Sequence, residues 1–246
     1  MSPVFQAIDT SKHCGDQDRI EVGQYTLYVH AFGKNQDPQG KSCAEVYSLD
    51  GTTASFGNNW QWARADGSVK AFTYLGLNQG LDKQLSAIKD IQVAYHYTFY
   101  DNDSGQRGHK KDTFVTFLWL LTTSSAPGGA VANEIRIYLA NIHVPVVGTT
   151  VATEIKIGDD YSKWDVYKGQ RDDGTVVFSF MLRPTQSDYD FTIRDSYDGD
   201  INLFLKYLFD NQGLAGDQYL TAIQAGSEAV GGAVNANFTR YSVVVG

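Results

Sequence analysis

Short runs of alternating apolar and polar residues recur along this chain and leave little room for anything but sheet. ANEIRIYLAN (132–141) is the clearest. Glu134, Arg136 and Tyr138 alternate with Ile135, Ile137 and Leu139, the period of a strand with one buried and one polar face. Similar runs occupy 24–32, 68–77, 91–100, 113–121, 153–158, 163–170, 175–183, 219–230 and 238–245, with turn signals such as DNDSGQRG, SSAPGG, RDDG and VGG between them. One stretch has helical period instead. Ile201, Phe204, Leu205 and Leu208 predict a helix over 199–211, capped by Asp198 or Asp200 and closed by Gly213. The pattern predicts an all-β sandwich or barrel carrying one amphipathic helix.

Composition narrows the chemistry. With 246 residues and 24 Gly but only 5 Pro, the chain suits one large β domain with tight turns. A formal charge of -8 disfavours nucleic acid and anionic membranes, whose phosphates call for positive charge. The aromatic content of 13% is compatible with a surface that stacks on neutral polysaccharide. Five scattered His and two Cys do not form a metal-ligand pattern, so neither metal nor organic cofactor is expected. Cys14 and Cys43 read either as one disulfide or as two buried thiols. Two sequons, at Asn102 and Asn237, would accept glycan in a secreted chain. The N-terminal MSPVFQAIDTSKHC lacks the basic and apolar regions of a signal peptide, and no apolar run is long enough to span a membrane. Both a secreted and an intracellular setting stay open on these residues. A monomer is expected.

Gln224, Gly226 and Glu228 share one face of a second strand, with Ile223 and Ala225 on the other. Two strands thus each place a Glu on a polar face. Paired carboxylates suit glycoside hydrolysis, where one attacks the anomeric carbon and the other moves protons at the leaving oxygen. With 28 acidic residues in the chain, such a pair also arises by chance.

Five segments carry a resemblance. HCGDQDRIEVGQYTLYVHAFGK followed by Cys43, NNWQWARADGSVKAF, NEIRIYLANIHVPVVG, KWDVYKGQ with TVVFSF, and FLKYLFDNQGLAGDQYLTAIQAGSEAVGGAVNANFTRYSVVV occur in this order. They resemble the motifs of glycoside hydrolase family 12, the small endoglucanases and xyloglucanases. The resemblance implies a concanavalin-like β-jelly-roll of two antiparallel sheets with the helix packed outside. It places one domain over 14–246 after an extension of 1–13, and a disulfide between Cys14 and Cys43. It also implies a secreted, retaining endo-β-1,4-glucan hydrolase. Glu134 matches the nucleophile and Glu228 the general acid/base, which retention places roughly 5–5.5 Å apart. His30, Phe32, Trp60, Trp62, Trp119, Arg136 and Tyr138 are the candidate substrate contacts, though Trp60 and Trp62 suit a core as well as a cleft.

The departures gather around the same site. Val29-His30-Ala31-Phe32 replaces the family's Asn-Asn-Leu-Trp, and Ala229-Val230 replaces Pro-Phe after the acid/base. Arg136 stands for Met and Tyr138 for Trp. Leu118-Trp119 falls where the family carries an Asp beside the nucleophile. Arg136 is two residues from Glu134 on one face, so its guanidinium either substitutes for that missing partner or quenches the nucleophile as a static ion pair. The alternative function is a non-hydrolytic or repurposed protein whose altered cleft takes another ligand, including a small apolar one.

Overall fold

A computed structural model describes residues 8–63, 67–101, 114–159, 161–183 and 193–246. The Asn102 sequon lies outside them. Fourteen strands follow in chain order: β1 (Arg19–Val22), β2 (Tyr25–Tyr28), β3 (Lys41–Asp50), β4 (Thr53–Trp62), β5 (Ala71–Leu77), β6 (Lys83–Gln84), β7 (Ile91–Asp101), β8 (Phe114–Ser124), β9 (Val131–Ile142), β10 (Thr149–Lys156), β11 (Lys163–Gln170), β12 (Val176–Leu182), β13 (Ser196–Asp200) and β14 (Tyr219–Val245). One sheet runs β3-β4-β14-β7-β13. The other runs β1-β2-β5-β14-β8-β9-β12-β11-β10, with β6 paired to the start of β14. Among the described residues every strand pairing is antiparallel except that of β9 with β12, which is parallel.

The expected alternation is realised over 134–139, up to a bulge at Leu139. Ile135, Ile137 and Leu139 are buried between the sheets, and each is worth about 1.5–3 kcal/mol of burial. Sequence reading misses five strands: β1, β3, β4, β6 and β13. It also splits β14 in two, because Val230-Gly231-Gly232 looks like a turn. The structure corrects this. The strand runs unbroken through these residues, and Gly232, at φ 98°, sits where it leaves the second sheet for the first. A conformation that suits a turn glycine serves here as a bend within one strand.

The helix α1 (Asn202–Gln212) follows β13. Its N-cap residue, Ile201, offers no side-chain acceptor, but Asp200 Oδ1 accepts from the Asn202 N–H at 2.9 Å and from the Ile91 N–H at 2.8 Å. Asp198 pairs instead with His96. Gly213, at φ 73°, closes the helix in the left-handed conformation. Phe204 packs edge-on against Trp164 and Phe180 at centroid distances of 5.1 and 4.9 Å, fastening the helix to β11 and β12. Cys14 and Cys43 form a disulfide, which ties the N-terminal segment to β3.

Candidate active site

The two candidate carboxylates lie on the face of the second sheet turned away from the core. Glu134 comes from β9 and Glu228 from β14, with β8 between them. Glu134 is 8% exposed and Glu228 4%. One guanidinium bridges them. Arg136 Nε donates to Glu134 Oε1, and its Nη1 donates to Glu228 Oε1 at 3.1 Å and Oε2 at 3.2 Å. The same Nη1 donates to the Tyr138 hydroxyl at 3.0 Å. Period two places Glu134, Arg136 and Tyr138 on one line, which is why one strand supplies all three.

Two further residues complete the shell. Thr116 of β8, directly across from Glu228 in register, donates to Glu228 Oε2 at 3.1 Å. Arg171 reaches Glu134 at 2.9 Å from the hairpin joining β11 to β12. Neither residue is singled out by sequence reading. Thr116 is an ordinary strand residue, and Arg171 belongs to the RDDG turn signal, whose proximity to Glu134 depends on the parallel β9–β12 pairing.

Burial opposes the charge of Arg136, but the carboxylate of Glu228, then Tyr138 and Glu134, outweigh it and raise its pKa further. Burial, together with the Glu228 and Glu134 charges and against the pull of Arg136, pushes the Tyr138 phenol up to about 12. A net-neutral array of two Arg and two Glu thus forms on a largely apolar floor. Phe72, Tyr74, Leu118, Leu120 and Tyr138 make up that floor, with Tyr28 and Met181 packed against it. Gly226 sits at its centre, where a Cβ would fall 1.9 Å from the Thr73 carbonyl oxygen. Leu118 is buried in this floor, and Glu134 takes its polar partners from Arg136 and Arg171.

His30 and Phe32 border the same sheet, with ring centroids 5.3 Å apart. His30 also meets Tyr74 edge-on at 6.3 Å, and Tyr74 stacks on Tyr28 at 4.8 Å. Burial lowers the His30 pKa. Phe32 is 47% exposed and offers an open ring face.

Of the candidate contacts, the three tryptophans lie in the core, the alternative left open for Trp60 and Trp62 and a correction for Trp119. Trp60 and Trp119 are fully buried and Trp62 is 2% exposed. Trp60 and Trp62 do share one side of β4, but that side is the inner one. Trp62 donates to Ser42 Oγ at 3.0 Å. Trp119 points between the sheets because its neighbours Leu118 and Leu120 take the open face, and it stacks on Tyr241 at 5.5 Å. Core packing, not ligand contact, is their role. Among the described residues, no three His, Cys, Asp or Glu side chains gather as a metal site.

A sequence profile of glycosyl hydrolase family 12 matches residues 23–246. The chain belongs to that family. Its relatives include a probable xyloglucan-specific endo-beta-1,4-glucanase A of Aspergillus flavus, 32% identical over 94% of this chain and 90% of the relative. The xyloglucan-specific endo-beta-1,4-glucanase A of Aspergillus aculeatus is 31% identical over 96% and 91%. Among solved structures, the family 12 endoglucanase 3 of Trichoderma harzianum superposes with a TM-score of 0.82 at 21% identity, covering 96% of this chain and 97% of that one. A family 12 xyloglucanase of Bacillus licheniformis gives 0.79 at 20% identity, covering 96% and 100%. These superpositions establish the jelly-roll fold expected from the sequence.

Proposed function

We propose that this family 12 member is a retaining endo-β-1,4-glucan hydrolase acting on xyloglucan or unbranched β-glucan. The observation that carries the reading is the Glu134–Arg136–Glu228 bridge: both carboxylates stand within reach of one guanidinium on an open sheet face. In this reading Glu134 attacks the anomeric carbon as a carboxylate and forms a glycosyl ester. Glu228 delivers a proton to the departing glycosidic oxygen, then takes one from the water that cleaves the ester. Arg136 and Arg171 orient Glu134 in place of the family's Asp. Nη1 of Arg136 must leave Glu228 before that carboxyl can carry a proton toward substrate. Xyloglucan is favoured by the names of the curated relatives. The disulfide suits an extracellular setting, where such polymers occur.

A second reading is favoured by the same bridge and by the apolar floor: a non-hydrolytic protein that binds a glycan or another ligand on this face. One experiment separates the two. Wild type, Glu134→Gln and Glu228→Gln are incubated with xyloglucan, barley β-glucan and carboxymethyl cellulose, and reducing ends are counted. Release by wild type, lost in both variants, is the expected result. No release from any polymer overturns the hydrolase reading, and release that survives both substitutions overturns the residue assignment.

A further inference from the structure

The outer face of the other sheet holds a groove of about 350 Å³, on the opposite side of the sandwich from Glu134. Its floor is a register row across three strands. Asn59 of β4 faces Asn235 of β14, which faces Tyr100 of β7. The adjacent row pairs Gly57 with Asn237. Tyr47 is the extra residue of a bulge in β3, where the pairing passes from Val46 to Ser48. Its ring lies down over Gly57, so that a Cβ there would fall 2.0 Å from the Tyr47 hydroxyl oxygen and 2.6 Å from Cζ. Tyr47 nevertheless remains 47% exposed, which leaves a flat ring face open to solvent.

We propose that this groove is a second, non-catalytic binding site for a neutral glycan chain. A flat aromatic face beside a row of amides offers what a pyranose presents: apolar C–H faces for stacking and equatorial hydroxyls for hydrogen bonds. Asn59 Nδ2 donates to Asn235 Oδ1, and the Tyr47 hydroxyl donates to Asn237 Oδ1 at 3.1 Å. These bonds set the amides in order, and each uses only part of an amide's hydrogen-bonding capacity. Lys12 and Glu45 stand in the lining with opposite charge, so the groove has no net sign with which to select an anion or a cation. The disulfide partner Cys43 is also in the lining, and its bond to Cys14 holds the segment that carries Lys12. That the chain bound is a β-1,4-glucan rests on the substrate class proposed for the active site; the groove itself does not depend on hydrolysis.

The test is affinity electrophoresis in native gels containing xyloglucan or β-glucan. The protein is produced without N-glycans, because Asn237 heads a sequon inside the groove. Glu134→Gln serves as the background to prevent digestion of the gel. Tyr47→Ala with Asn235→Ala is expected to raise the apparent Kd for polymer roughly tenfold. In the wild-type background, the same pair should leave turnover of a short soluble cello-oligosaccharide unchanged. Unchanged retardation overturns the proposal. Should the double variant fail to fold, Glu134→Gln alone is titrated with cellohexaose by NMR. Shifts at Tyr47, Asn59 and Asn235 support the site, and shifts confined to the opposite sheet overturn it. A chain without hydrolytic activity would still be retarded through this groove, so failure of the active-site reading is seen separately.

Discussion

Arg136 Nη1 lies 3.1 Å from Glu228 Oε1 while the Nε of the same side chain holds Glu134. The two carboxylates proposed as the catalytic pair are thereby joined through a side chain that is itself only 11% exposed. A buried ion pair is costly to break from one side, because the partner charge stays behind. Glu228 and Glu134 are consequently not independent groups in this protein.

Replacing Arg136 with the family's Met should show this directly. The change leaves two buried carboxylates with Arg171 as the remaining cation, and should cost about 3–5 kcal/mol of stability. Denaturant unfolding measures it, and an unchanged midpoint would refute the bridge. The Glu228 carboxylate helps hold Arg136 in its charged form, as the raised Arg136 pKa reflects.

Tyr138→Phe should lower stability by about 1–2 kcal/mol, since Arg136 loses a buried acceptor. Thermal unfolding would register this, and a Tm equal to wild type would place the hydroxyl outside the network.

Alkaline titration offers a second handle. Tyr74 and Tyr138 are each pushed up to about 12, chiefly by burial, whereas an unfolded Tyr ionises near about 10. Between these values the folded chain binds more protons. Stability should be complete below pH about 10 and fall as pH rises toward about 12. Urea midpoints measured at intervals across that range test the sign, and a flat series would contradict it.

At Gly226 an added methyl would collide with backbone, 1.9 Å from the Thr73 oxygen and 2.7 Å from the Tyr74 Cα. No side-chain adjustment relieves such a contact. Gly226→Ala should force β5 away from β14 and cost roughly 3 kcal/mol or more, comparable to other severe single substitutions. Soluble expression with a wild-type unfolding midpoint would show that the strands have room to spare.

The disulfide closes a separation of 29 residues. Chain entropy assigns such a loop about 3–4 kcal/mol, so Cys14→Ser with Cys43→Ser should lower the Tm by roughly 10 °C. Equal melting of the oxidised protein and the double variant would mean the cross-link adds nothing.

Glu134, Arg136, Tyr138 and the helical stripe from Ile201 to Leu208 could be placed from the sequence because each shows a clean period. β9 keeps a polar face against an apolar one, and α1 keeps a single apolar side. Trp119 could not be placed, because β8 is apolar on both faces: Leu118 and Leu120 cover the open floor while Phe117, Trp119 and Leu121 fill the core. Alternation fails where both sides are greasy. β4 escaped notice because Gly57, Asn58 and Asn59 break its apolar rhythm. Pairing with Ser227 is what makes Asn58 acceptable inside, through a bond of 2.9 Å. Arg171 depended on which strands lie side by side, which no local pattern reveals.

β14 pairs with β5, β6 and β8 in one sheet and with β4 and β7 in the other. It also follows the other thirteen in chain order, so it leaves the ribosome after them. Until its residues emerge, β4 and β7 lack their central partner, and β5 stands apart from β8. A nascent chain stalled before Tyr219 therefore leaves five strands without this partner and an aromatic interior uncovered, a form that invites aggregation. Completion of both sheets is deferred to a single late event, and chaperone demand during synthesis should peak just ahead of it.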